Sequence, residues 1–228
     1  MNKTLLRICA AISAISGVSI IAFVVYPIVS YDKIYSKKFQ SQKFQIQKEK
    51  PVVSPQSVDY TRASNWFVGG APREDFVPKN VSNYTLTIPK LRIENATVTI
   101  NGDDLAKSLI QYPGTALPGK FGNTVIFGHS TLPAFYNPKK YISIFSKLPT
   151  LEKGDEIFVD YDGVSYKYRV EEMFEVLPAD IQVLDQDSSD SFLTLVTCVP
   201  PGHPLKPKRL IVRARVVPPA QANENIRN

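Results

Sequence analysis

Cysteine and histidine are nearly missing from this chain, whose 228 residues hold two of each. Cys9 and Cys198 are too few for a disulfide framework, and Cys9 lies in an apolar run, so the rest of the chain carries one thiol. No C-x-x-C pair occurs. A zinc site would need Cys198, His129 and His203 with no clear fourth ligand, and no metal or other cofactor is expected. Asp185, Asp187 and Asp190 lack the spacing of a calcium loop. Repeats, coiled-coil heptads and nucleic-acid motifs are also missing. The net charge of +6 is therefore not read as a nucleic-acid footprint, since much of the excess sits in one tract before residue 82.

Charge is missing altogether from Ile8 to Val29. That run is long enough to span a bilayer as a helix, for which ~20 apolar residues suffice. It exceeds the ~7–15-residue apolar core of a cleavable signal peptide, and no small-x-small cleavage site follows it. Residues 1–30 are read as an uncleaved single-pass anchor in a lipid bilayer. Arg7, in LRIC, stands where a lipoprotein signal needs a small or apolar residue, so Cys9 is read as a thiol within the span. Lys3 and Arg7 precede the run, whereas Lys33, Lys37, Lys38, Lys43, Lys48 and Lys50 follow it. Lysine and arginine counts alone would place the C-terminal part in the cytoplasm, a rule that weakens when a long domain follows.

Residues 31–82 lack apolar periodicity and are rich in turn formers, which reads as a basic, irregular linker. Trp66 and Phe67 are the exception, two large aromatics expected to pack on the domain behind them. Residues 83–218 form that domain, and 219–228 a disordered tail. Within the domain YTLTI (84–88), ATVTI (96–100), NTVIFG (123–128), IFVDY (157–161), VSYKYRV (164–170), FLTLVTC (192–198) and RLIVRARVV (209–217) alternate as strands do. Asp162-Gly163 is a hairpin turn, because both positions accept positive φ. DDLAKSLI (103–110) predicts a short helix with Asp103 as N-cap. Many short strands at modest spacing indicate an antiparallel barrel or sandwich.

Cys198 closes one strand and Arg209 opens the next. Leu210, Val212, Ala214 and Val216 share one face, so Arg209, Arg213 and Arg215 share the other. Leu193 and Leu195 point inward, which leaves Thr194, Val196 and Cys198 outward. Paired as a hairpin, the two strands bring Cys198 and Arg209 to one face. A thiol, a histidine and an arginine suit covalent acyl transfer through sulfur: the thiolate attacks, the imidazole moves protons, and the guanidinium steadies an oxyanion. The histidine is either His129, at the end of an apolar strand, or His203, five residues after the thiol. The structural readings are a buried inert cysteine and a strand-end histidine held by its own hydrogen bonds.

TIPKLRI, YPGTALPG, GNTVIFGHS, TLVTC and RLIVRA, spread from Tyr84 to Val217, together resemble the sortase family of cell-surface cysteine transpeptidases. The resemblance implies a mostly β fold, a closed antiparallel or mixed barrel with one or two short helices, following the membrane helix. It implies Cys198 as nucleophile, His129 as acid and base, and Arg209 as oxyanion donor. Val196, Thr197 and His203 become candidates for holding substrate. The expected substrates are surface proteins bearing an LPxTG-like sorting signal, and the acceptors are amines of a wall precursor or a pilin lysine. The catalytic domain is expected outside the cell, and RLIV after TLVTC leans towards classes D and E. No Asp-Pro-aromatic motif precedes the domain, which argues against a lid of the pilin type. Other readings are an L,D-transpeptidase, whose cysteine follows a different motif, a hydrolytic cysteine protease, and a non-enzymatic wall-binding domain.

Overall fold

Between Asn83 and Val216 eight strands bond edge to edge until the ring closes. They are β1 (Asn83–Ile88), β2 (Ile93–Ile100), β3 (Leu109–Gln111), β4 (Gly122–Phe127), β5 (Glu156–Tyr161), β6 (Val164–Val176), β7 (Ser191–Val199) and β8 (Lys208–Val216). Their order is β1-β2-β3-β4-β7-β8-β6-β5, with β5 returning to β1. The pairs β2/β3 and β4/β7 run parallel and the rest antiparallel. Closure leaves no strand edge free to pair with another chain. This computed structural model describes residues 3–35, 38–39, 59–70, 75 and 83–218; the expected tail at 219–228 lies outside them.

Alternation explains the core. Leu193 and Leu195 of β7 face Leu210, Val212 and Ala214 of β8, and Tyr168 and Val170 of β6 join them inside the barrel. The opposite faces of the same strands carry a second buried cluster, with Phe127, Val196, Cys198 and Ile211. Both faces of β7 are therefore covered, and each of its nine residues is buried.

The helix expected at 103–110 does not form. Leu105, Leu109 and Ile110 have a helix-like spacing, but Leu109–Gln111 pairs in parallel with Val98–Ile100 as β3. Leu105 turns instead into the outer cluster. Two strand pairings override local propensity here. Among the described residues α1 is the only α-helix; the barrel's short helices are 3-10 turns such as Pro133–Phe135 and Ile181–Leu184.

Helix α1 spans Lys3–Ile34, and its segment Leu6–Ile34 is long and apolar enough to cross a membrane. It continues past residue 30 because its last turn meets the barrel. Tyr31 is buried, and its hydroxyl donates to Glu175 Oε1 at 2.8 Å. Lys208 Nζ meets the other Glu175 oxygen at 2.9 Å. Phe39 is buried too, so the described parts of the expected linker lie on the barrel.

Candidate active site

Antiparallel pairing of β7 with β8 sets Cys198 directly opposite Arg209. Directly opposed residues share a face, so thiol and guanidinium lie on the outer side of the barrel, as strand parity requires. Arg213 and Arg215 occupy the same face farther along, opposite Thr194 and Phe192.

His129 reaches the same place from β4. In the parallel β4/β7 register Phe127 lies beside Val196, and Gly128 N–H donates to the Val196 carbonyl at 3.1 Å. Two further bonds hold the next residues. Thr197 Oγ1 donates to the Gly128 carbonyl at 2.8 Å, and Ser130 Oγ donates to the Cys198 carbonyl at 2.6 Å. His129 is thereby held alongside Cys198. The preceding glycine is required by packing: a Cβ at Gly128 would stand 2.4 Å from Phe145 Cδ2 and 2.7 Å from Leu109 Cδ2.

The three side chains are not open to solvent. A strap, residues 59–70, lies across them. It is held by backbone bonds from Leu105 N–H to the Thr61 carbonyl (2.9 Å), Ala63 N–H to the Asp103 carbonyl (3.1 Å) and Val68 N–H to the Pro178 carbonyl (2.9 Å). Asp103, expected as a helix cap, instead accepts from Ser64 N–H and from Arg62 Nη1, each at 3.0 Å. At its centre Trp66 is fully buried, stacked on Phe127 at 5.2 Å and 6.0 Å from the His129 ring. Trp66 Nε1 donates to the Tyr60 carbonyl at 2.9 Å. The packing expected of Trp66 and Phe67 is met. The cover contains no Asp-Pro-aromatic motif; an indole and its own carbonyl supply its contacts.

That carbonyl fills the arginine fork. Arg209 Nε and Nη2 both donate to the Trp66 carbonyl, at 3.1 and 2.8 Å, and Nη1 donates to the carbonyls of Lys206 (2.9 Å) and Lys208 (3.2 Å). The guanidinium also lies 5.5 Å from the Tyr60 and Trp66 ring centres, a cation-π distance. Lys206 Nζ is 5.3 Å from the Tyr60 ring. Two cations thus flank one strap aromatic at the mouth of the site.

Burial sets the proton states. It pushes the Cys198 thiol up, against the opposing pull of Arg209 and Lys206. It lowers His129 to about 4, aided by Lys206 and opposed by Asp59 and Asp104. Under the strap the pair is a neutral thiol beside a neutral imidazole, and His129 Nε2 has no hydrogen-bond partner.

The remaining expected residues divide. Val196 lies under the strap in the outer cluster. Thr197 alternates with its neighbours, is buried, and donates its hydroxyl to Gly128. It joins the histidine strand to the cysteine strand through that hydroxyl. His203 stands in the β7–β8 loop, where its Nδ1 accepts from Leu205 N–H at 3.1 Å. Sequence reading missed Tyr60.

The family model described as the sortase domain matches residues 86–217. Sortase A of Bacillus anthracis is 27% identical over 161 residues, covering 65% of this chain and 71% of that protein. Among solved structures, sortase A from Corynebacterium diphtheriae superposes with a TM-score of 0.53 at 28% identity, covering 65% of this chain and 66% of its own. A Clostridium perfringens sortase D5 transpeptidase gives a TM-score of 0.51 at 23% identity, covering 64% and 93%, a likeness of fold alone. Classes A and D both stand among these neighbours, so the likeness selects no class.

Proposed function

The chain belongs to the sortase family, and from that premise we propose that it is a membrane-anchored cysteine transpeptidase acting on surface proteins with an LPxTG-like signal. The observation that supports the site assignment is the peptide carbonyl already seated on Arg209. The guanidinium fork donates two bonds to one carbonyl oxygen, the geometry that an acyl-transfer site offers to a scissile carbonyl and its oxyanion. Trp66 fills that position from within the chain.

Turnover begins with the strap displaced, which returns Cys198 and His129 to water. Arg209 and Lys206 then favour the thiolate, since desolvation no longer opposes them, and the thiol proton passes to His129, which becomes the imidazolium. The Cys198 thiolate attacks the scissile carbonyl and forms a carbon–sulfur bond, and the carbonyl oxygen takes the negative charge within the Arg209 fork. Collapse breaks the carbon–nitrogen bond while the His129 imidazolium gives its proton to the departing amine. The resulting thioester is opened by an acceptor amine, whose proton passes to His129 as the new amide forms and the thiolate leaves. The acceptor is an amine of a wall precursor or a pilin lysine, and the catalytic domain faces outward.

The full chain in vesicles is assayed on a panel of LPxTG-like peptides varied at the first three positions, with and without an added amine. Cleavage that yields the amine-linked product, lost in Cys198→Ala, is the expected result. Cleavage yielding only the hydrolysed peptide at every amine concentration would make the protein a protease. Full turnover in Cys198→Ala would remove acyl transfer through this thiol.

A further inference from the structure

Helix α1 leaves the barrel at a definite level. Pro27, Ile28, Ser30 and Tyr31 are partly or wholly covered, whereas every side chain from Ile8 to Tyr26 is exposed. That bare, uncharged stretch is about 28 Å long at ~1.5 Å per residue, close to the ~30 Å hydrocarbon core of a bilayer. A membrane around it ends where the barrel begins.

One barrel segment reaches beyond that level. Phe135 meets Phe23 of α1 edge to face, with ring centroids 6.4 Å apart. Phe23 stands one turn inside the bare stretch, about 5 Å deep at ~1.5 Å per residue. Phe135 is otherwise open, 64% exposed, and Ile142 nearby is 51% exposed. Around them Lys139, Lys140 and Lys147 are exposed, and the run Pro133–Lys147 contains no acidic residue. Lys147 Nζ lies 4.7 Å from the Tyr136 ring centre. Apolar side chains that enter the acyl boundary by ~5–10 Å, ringed by lysines for anionic headgroups, make an interfacial segment.

We propose that Pro133–Lys147 is a second membrane contact, which seats Phe135 and Ile142 in the interface of an anionic bilayer with Lys139, Lys140 and Lys147 on its headgroups. The segment follows His129 closely. Its neighbour Leu132 packs on the Cys198–Arg209 loop, where a Cβ at Gly202 would stand 2.6 Å from Leu132 Cδ2. Docking therefore holds the mouth of the site at the membrane surface, which favours substrates and acceptors that are themselves membrane-tethered. The inference rests on α1 spanning a membrane and is independent of the transpeptidation chemistry.

The test uses the full chain with Cys9→Ser and Cys198→Ala, in vesicles of phosphatidylcholine and phosphatidylglycerol. A nitroxide is attached in turn at Val18→Cys, Phe135→Cys and Val164→Cys. Val164 is an equally apolar control, 48% exposed, at the far end of β6 from Glu175. That separation is about 36 Å at ~3.3 Å per residue. Collision with oxygen against a water-soluble nickel complex reports depth. The expected order is position 18 deepest, 135 at the interface and 164 in water, with Lys139→Glu plus Lys140→Glu shifting 135 towards water. A label at 135 as wet as at 164, with 18 in lipid, overturns the docking surface while the anchor stands. A wet label at 18 overturns the anchor, and the proposal with it.

Discussion

Arg209 is buried to 1% exposure, where it donates to carbonyls and lies beside aromatic rings. A guanidinium in such a place is built to exchange one carbonyl for another. Lysine would keep the charge and lose the fork. Arg209→Lys is expected to fold and to lose on the order of 10²–10³ in kcat, the scale of a removed oxyanion donor. Arg213→Ala, at a position opposite Thr194 and away from the thiol, should cost little. Near-wild-type kcat in Arg209→Lys would mean that only charge matters. The histidines separate in the same assay. His129→Ala should lose at least the ~10²–10⁴-fold of a general acid–base group. His203→Ala should leave kcat nearly intact, because its ring nitrogen serves a turn of its own loop. The reverse order would exchange their roles. At this scale the sequence was informative where strand alternation applies, and it placed Cys198 and Arg209 on one face. Alternation says nothing of hydrogen bonds between strands, so the use of Thr197 by Gly128 was not legible.

The strap is the element that sequence described least. Its residues have no periodicity, and the contacts that bury Trp66 come from Phe127, His129 and Arg209, far away along the chain. Trp66 is also the sole tryptophan, so its fluorescence reports on the strap alone. Burying and then truncating a Trp costs about 3–5 kcal/mol. Trp66→Ala in a Cys9→Ser background should therefore raise the rate of Cys198 alkylation on the order of 10²-fold, read by mass spectrometry of the tryptic peptide. An unchanged rate would mean that the strap does not limit access to the thiol. The covered state also has a pH window. His129 is held at about 4 under the strap, against ~6.5 for a free imidazole. The uncovered state thus binds more protons between these values, and covering weakens by up to ~1.4 kcal/mol per pH unit as pH falls through that range. Lys206 adds to the depression, while Asp59 and Asp104 oppose it. Trp66 emission should shift red between pH 6.5 and 5, with far-UV circular dichroism unchanged. A shift that survives in His129→Gln would assign it to another group.

The whole molecule is a barrel fastened to its anchor at a joint. Most strands could be read in advance from alternation, and the mixed barrel came with the family resemblance. The residues themselves left barrel and sandwich open, because closure depends on β5 finding β1 and on two parallel pairs that no local pattern encodes. The joint was equally hidden. Tyr31 belongs by composition to the apolar run's margin, and Glu175 to an ordinary strand, until the fold buries both. Glu175 is shared between the Tyr31 hydroxyl and the Lys208 ammonium, and Lys208 gives its own carbonyl to Arg209. Helix α1 is thus linked through one carboxylate to the strand that carries the arginine. Tyr31→Phe removes a hydrogen bond to a charged acceptor and leaves the ring in place, at an expected cost of about 1.5–3 kcal/mol. The loss should fall on the joint and not on the barrel. In vesicles, trypsin should cut faster after Lys33 and Lys38 in the variant, while the barrel's thermal midpoint stays within a degree or two. A midpoint that falls with unchanged cleavage at the joint would instead make Tyr31 part of the barrel's core, and α1 more than its tether.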